Sequence, residues 1–300
     1  MRQLYPGSLV SIIRADVVIR AGWARRSLGY GYQPDFFAEI WRPGEPSQVI
    51  PIAAKGNHNR RPATSYTQLA AGSAHADSMV IGAPDETPGL LLSTQLSPEG
   101  PLTIHALHAR GKGDLLETPD RPACRLNDPA EQKNLPLGIR VSKDHVEPGF
   151  HLMPRHFRWF QQVLARTAAA GVAAFAGDAM VAARYLTERQ RNGDRGDSIA
   201  HAAAGSVRDA GYGLLGMDFV GTDHVFRLNN KRVEAFSGVE TGLFDLLSAE
   251  GGGVEEYRKA IFAQRGNWPQ ETWDESWGGP VSVQDDGTVL AIRALPTCDH

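Results

Sequence analysis

Apolar and polar positions alternate between Phe36 and Ile40: Phe36, Ala38 and Ile40 are separated by Phe37 and Glu39. A period of two predicts a strand with two distinct faces. Pro43-Gly44-Glu45-Pro46 is a strong turn signal, and Val49–Lys55 reads as the return strand of the hairpin. Upstream, the β-branched run Leu9–Ala21 predicts one long strand or two short ones, and Trp23–Tyr32 a glycine-aromatic turn. Downstream, Ser65–Ala76 predicts a short helix and Met79–Gly82 a buried strand. Leu90–Leu96 and Leu102–Ala109 predict two further strands, divided by Pro98-Glu99-Gly100-Pro101.

The period then becomes helical. Phe157, Phe160, Gln161, Leu164 and Ala168 predict a helix over Pro154–Ala170, with Pro154 in its first turn and Gly171 ending it. Phe175–Gln190 and Ser198–Ala210 predict two more helices. Leu214–Val220 and His224–Phe236 read as strands paired through Gly221-Thr222-Asp223, with Asn229-Asn230 a second turn signal. Leu243–Ala249 and Val254–Gln264 read as helices, and Val281–Val283 with Thr288–Arg293 as a closing hairpin. The expected class is α/β of the α+β kind. Residues 1–110 form a mixed β-sheet core flanked by helix, 111–150 a loop-rich connection, and 151–300 a C-terminal α+β region.

Composition sharpens this in a few respects. At 300 residues and 42% hydrophobic content the chain has ample apolar surface for a packed core. The net charge of -3 gives no global basic footprint, but residues 1–70 hold nine Lys/Arg against four Asp/Glu, a local +5, so the remainder sums to -8. A basic N-terminal third around carboxylates suits a phosphodiester substrate. Cys124 and Cys298 lack zinc-ligand spacing and read as free thiols in a reducing cytoplasm. Arg14 and Asp16 interrupt the N-terminal apolar run, which argues against a signal peptide. No apolar stretch is long enough to span a membrane, the excess of Arg over Lys together with abundant Ala suggests a high-GC bacterial genome, and the expected location is cytoplasmic.

The hairpin carries the candidate chemistry. Asp35 and Glu39 are four apart and share a sheet face, as do Val49, Pro51, Ala53 and Lys55 on the return strand. Two carboxylates and an ammonium at one sheet edge suit phosphodiester hydrolysis. The acids would hold Mg2+ with open water sites, and the lysine would orient the attacking water or balance developing charge. Surface pairing of Glu39 with Lys55 is the bland alternative.

Pro34-Asp35, the apolar Val49-Ile50-Pro51-Ile52 and the following Ala53-Ala54-Lys55 together resemble the PD-(D/E)xK nuclease superfamily, the restriction-endonuclease-like fold. The resemblance covers roughly residues 9–85. It implies a metal role for Asp35, catalysis by Lys55, a metal contact from the Ala54 carbonyl, and a place for Gln68 on the helix after the hairpin. The sequence departs from the pattern at Ala53, where the superfamily has Asp or Glu. Either Glu39 supplies the missing acid, or the site is disabled and the fold serves binding. The first alternative is Mg-dependent cleavage of DNA, in defence or DNA processing, by Asp35, Glu39 and Lys55. The second is a nucleic-acid or protein binding module. In both, His58, Arg60, Arg61 and Gln68 are the candidate nucleic-acid contacts. A third alternative gives the C-terminal half the main role, in interaction or regulation.

Overall fold

The computed structural model describes residues 1, 4–23, 33–57, 62–83, 87–96, 101–109, 135, 137–192, 211–250 and 253–295. They form two units, Met1–Leu164 and Ala165–His300. The sequence-predicted helix over residues 198–210, the turn at 24–32 and most of the 111–150 connection lie outside the described residues.

The N-terminal unit is built on a five-stranded sheet. Strands β1 (Leu9–Arg14), β2 (Phe36–Trp41) and β3 (Gln48–Asn57) form an antiparallel meander. Chain order then passes through helix α1 (Ala15–Gly22), between β1 and β2, and helix α2 (Pro62–Asp77), after β3. β4 (Met79–Ile81) follows, and β5 (Gly89–Gln95) joins the sheet parallel to β3, with β6 (Thr103–Ala109) antiparallel beyond it. The sheet order is β1-β2-β3-β5-β6, and α2 makes the crossover that a parallel pair requires. The ribbon β7 (Ile139–Arg140) and β8 (Val146–Glu147) and the parallel pair of β4 with β9 (Phe150–Leu152) complete this unit.

Both faces of β2 are covered. Ala38 and Ile40 join Ile50, Ile52 and Leu90 in one apolar cluster. On the opposite face Phe37 meets Phe160 edge-on, at 5.6 Å between ring centroids. Phe160 belongs to helix α3 (Phe157–Phe175), within which the division between the two units falls. α3 continues past Gly171, where the sequence pattern predicts its end.

The largest difference from the predicted elements is at Leu9–Ala21. The strand stops at Arg14 and the chain turns into α1. Val17, Val18 and Ile19 are poor helix formers, but Ala15, Val18, Ile19 and Gly22 recur at helical spacing and all are buried, so packing overrides propensity. Gly22 has to be a glycine, since a Cβ there would lie 2.2 Å from the ring of Trp159.

The C-terminal unit is a six-stranded antiparallel sheet. β10 (Tyr212–Leu214), β11 (Met217–Leu228), β12 (Lys231–Glu240), β13 (Trp273–Asp274), β14 (Gly279–Val283) and β15 (Thr288–Leu295) are ordered β10-β11-β12-β15-β14-β13. Helices α4 (Ala179–Tyr185), α5 (Glu188–Arg191), α6 (Thr241–Ser248) and α7 (Val254–Gln264) accompany it. Phe175–Gln190 is therefore two short helices and not one. Asp178 caps α4 by accepting from the Val181 amide, and Thr187 with Gln190 forms a capping box on α5. Residues 221–223 are not a turn but the middle of β11. The hairpin turns at Asn229-Asn230, both at positive φ (48° and 63°), as a two-residue primed turn requires.

Asp274 fastens one corner of this sheet. Its carboxylate accepts from the Leu215 amide at 2.6 Å, the Ser276 hydroxyl at 2.6 Å and the Trp277 amide at 2.8 Å. Those bonds, led by the one from Leu215, lower its pKa from 3.8 to about 2. A depressed folded-state pKa stabilises fully above the unfolded value, and the contribution is lost as pH falls through the folded value. Thermal unfolding followed between pH 5 and pH 2 should therefore show a fall in Tm below pH 4 that is shallower in Asp274→Asn. Equal pH slopes in the two proteins would refute this role for Asp274.

Candidate functional site

Asp35 sits immediately before β2 and is pinned by its own backbone. Its amide donates to the Ile52 carbonyl at 2.8 Å, and its carbonyl accepts from the Ala15 amide at 3.2 Å. The start of α1, the head of β2 and the second half of β3 are thereby brought to one place. The Asp35 Oδ2 accepts from the Ala54 amide at 2.8 Å and from the Lys55 Nζ at 3.3 Å. Asp35, Ala54 and Lys55 are thus held together.

Glu39 is not with them. It shares the Asp35 face, but four residues along a strand amount to about 13 Å. α3 covers that part of the sheet, and Glu39 is 0% exposed. Its Oε1 accepts from the Ser47 hydroxyl at 2.9 Å, and that hydroxyl accepts from the Gln161 Nε2 at 3.0 Å. The expectation that Glu39 joins Asp35 as a metal ligand is corrected by this placement, because a core carboxylate tied to α3 does not reach the head of β2. Ala53 is equally enclosed. It is fully buried in a cluster with Ala76 and Leu91, under α2. Gly72 of α2 lies above it, where a Cβ would be in ordinary van der Waals contact with the Ala53 Cβ, at 3.4 Å.

Gln68 is turned into the fold. Its Oε1 accepts from the Asn57 Nδ2 and the Ser93 hydroxyl, both at 2.8 Å, and its Nε2 donates to the Gly56 carbonyl at 3.1 Å. The side chain therefore ties α2 to the C-terminal ends of β3 and β5. His58, Arg60 and Arg61 lie outside the described residues. His105 and His108, three apart on β6, fall on opposite faces.

Two groups of residues enter the site that the sequence pattern did not single out. The first is Arg14, Asp16 and Arg20. Arg14 donates from Nε to Asp16 Oδ1 at 3.1 Å and from Nη2 to Oδ2 at 3.0 Å, and Arg20 Nη2 reaches Oδ2 at 3.0 Å. Arg14 and Asp16 line an open cleft of about 480 Å3 with Gln33, Pro34, Asp35, Phe36 and Ala54. The i, i+4 spacing of Asp16 and Arg20 was a readable signal, but only for a chain read as helix there. The second is His75 on α2. Its Nδ1 is buried without a hydrogen-bond partner. Burial first, then the Lys55 ammonium, hold its pKa below the ordinary histidine value, while Asp35 opposes them. His75 is therefore neutral at pH 7.

The donor set does not fit magnesium in the expected way. Mg2+ usually takes one or two carboxylates plus waters and substrate phosphate in octahedral geometry. Asp35 is engaged by Lys55 and the Ala54 amide, both oxygens of Asp16 are engaged by arginines, and Glu39 is in the core. Among the described residues no three of His, Cys, Asp and Glu converge on a point that could hold a metal. No protein-family model, curated protein or solved structure matches the chain. Among the described residues no helix is long and apolar enough to cross a membrane.

Proposed function

We propose that the N-terminal unit engages nucleic acid at the cleft where β2 begins, as a nuclease-like fold whose acid pair is not assembled. The observation that carries this reading is the charge arrangement of the cleft. The charged lining residues are Arg14, Asp16 and Asp35; counted with the ion-pair partners that stand behind them, Lys55 on Asp35 and Arg20 on Asp16, the group carries one net positive charge. The local excess of +5 over residues 1–70 has the same sign. Support for the nuclease-like fold comes from the chain order: a meander of three strands, a crossover helix and a strand parallel to the third, with Asp35 before the second strand and Lys55 on the third. The enclosed Ala53 and Glu39 support binding over cleavage.

The reading predicts binding of labelled oligonucleotides that weakens steeply between 50 and 200 mM salt, by roughly the slope expected for a few released counterions. Binding needs no divalent cation. Binding that is absent at 50 mM salt, or insensitive to salt, would remove the reading.

Mg-dependent cleavage of DNA is the second reading, favoured by the meeting of Asp35, Lys55 and the Ala54 backbone within hydrogen-bond distance. It predicts nicking of plasmid in Mg2+ or Mn2+ that is lost in both Asp35→Ala and Lys55→Ala. Intact plasmid after long incubation with wild type would remove the cleavage reading.

A further inference from the structure

We infer that this cleft takes one nucleotide of a single strand, with the phosphate on Arg14 and the base on Phe36. The inference rests on the nucleic-acid reading above and names its substrate class. Arg14 and Phe36 are directly opposed across β1 and β2, so both side chains leave the same sheet face, with Cβ atoms about 5 Å apart. Both line the cleft. A cationic and an aromatic side chain are therefore neighbours on one sheet face, where the phosphate and the base of one nucleotide would meet them.

Arg14 is suited to a phosphate oxygen. Asp16 takes Nε and Nη2 as a bidentate pair, which fixes the plane of the guanidinium, and Nη1 has no partner among the described residues. Its side chain remains 51% exposed although ion-paired. Arg20 is the second cation on the same carboxylate, so the pair of arginines keeps one positive charge after Asp16 is counted. A phosphodiester carries one negative charge per phosphate, which matches. Phe36 is half-buried against the apolar cluster below it, so the ring is held in place while part of it remains accessible. Base stacking on such a ring is tolerant of sequence. Gln33, beside it, offers an amide for a base edge.

The size of the cleft favours a single strand. About 480 Å3 is a small-molecule pocket, enough for a nucleotide and far too small for a duplex. A strand end or an unpaired stretch enters, and a duplex meets only the rim.

The test is fluorescence anisotropy with a labelled single-stranded oligonucleotide and the matching blunt duplex at 50 mM salt. The proteins are wild type, Arg14→Ala, Phe36→Leu and Arg140→Ala, each checked for folding by circular dichroism and Tm. Arg140 is an exposed arginine of the same unit and controls for overall charge. The expected result is single strand bound at least tenfold tighter than duplex, and about a tenfold loss in Arg14→Ala with a salt slope lower by about 1. A loss of about tenfold is expected in Phe36→Leu, and less than threefold in Arg140→Ala. If wild type binds but Arg14→Ala resembles Arg140→Ala, if Phe36→Leu binds like wild type, or if duplex binds as well as single strand, the inference falls and the nucleic-acid reading stands. If wild type binds neither, both fall.

Discussion

Glu39→Ala lowers the stability of the N-terminal unit by about 2–4 kcal/mol and leaves nucleic-acid affinity unchanged. The substitution opens a cavity beneath α3 and removes the acceptor of the Ser47 hydroxyl, which is itself fully buried and bonded to Gln161. A buried donor left without an acceptor costs more than the bond contributed when it was made. Glu39→Gln keeps an acceptor oxygen and nearly the same volume, so it should recover most of the loss. Urea unfolding of the three proteins measures this, and oligonucleotide titration of the same samples measures binding. A Glu39→Ala protein with wild-type stability and a selective loss of metal-dependent activity would return Glu39 to the site.

That prediction turns on a distinction that a strand pattern does not encode. Parity correctly puts Glu39 on the Asp35 face: β2 alternates, and Phe37 and Glu39 face α3 together. Two further quantities decide whether they share a ligand. One is distance along the strand, about 13 Å for four residues, which follows from the strand rise. The other is what covers the face. The cover is Phe160 and Gln161 on α3, more than a hundred residues later in the chain, and a local pattern holds no information on that contact. Lys55 was legible because it lies on the Asp35 face of β3, two residues past the position opposite Asp35, so hairpin pairing and a long side chain bring the two together.

The same division between local and distant causes runs through the fold. Strand β2 carries its own alternation, β3, β5 and β6 are short runs bounded by turn residues, and all four lie where the sequence places them. Val17, Val18 and Ile19 look like strand because β-branched residues favour it, yet helix α1 forms where their burial demands helical spacing. Gly221 reads as part of a turn by composition. In the structure it faces Gly238 across the β11–β12 pair, and a Cβ on it would lie 2.1 Å from the Ser237 carbonyl oxygen. That glycine serves a close cross-strand approach, while the turn belongs to Asn229 and Asn230. Asp16 is hidden for a related reason, since its ion pair with Arg20 depends on α1 being a helix.

Ala53→Asp restores the residue that the nuclease pattern calls for, and it should weaken the protein without giving it cleavage. Ala53 is fully buried among Ala76 and Leu91, with Leu69 packed against them, and the Gly72 backbone of α2 closes over it. A carboxylate there loses its water, and its nearest candidate partner, Lys55, is two residues along the strand and already paired with Asp35. An uncompensated buried charge costs about 3–5 kcal/mol, enough to lower Tm by several degrees in a unit of this size. The fold would otherwise have to lift α2 from β3, breaking the hydrogen bonds of Gln68 to Asn57, Ser93 and Gly56. Differential scanning calorimetry and a plasmid assay in Mg2+ are the measurements. A variant that melts like wild type and nicks DNA would mean that α2 leaves room for the acid, and that the cleft is a nuclease site short of one side chain.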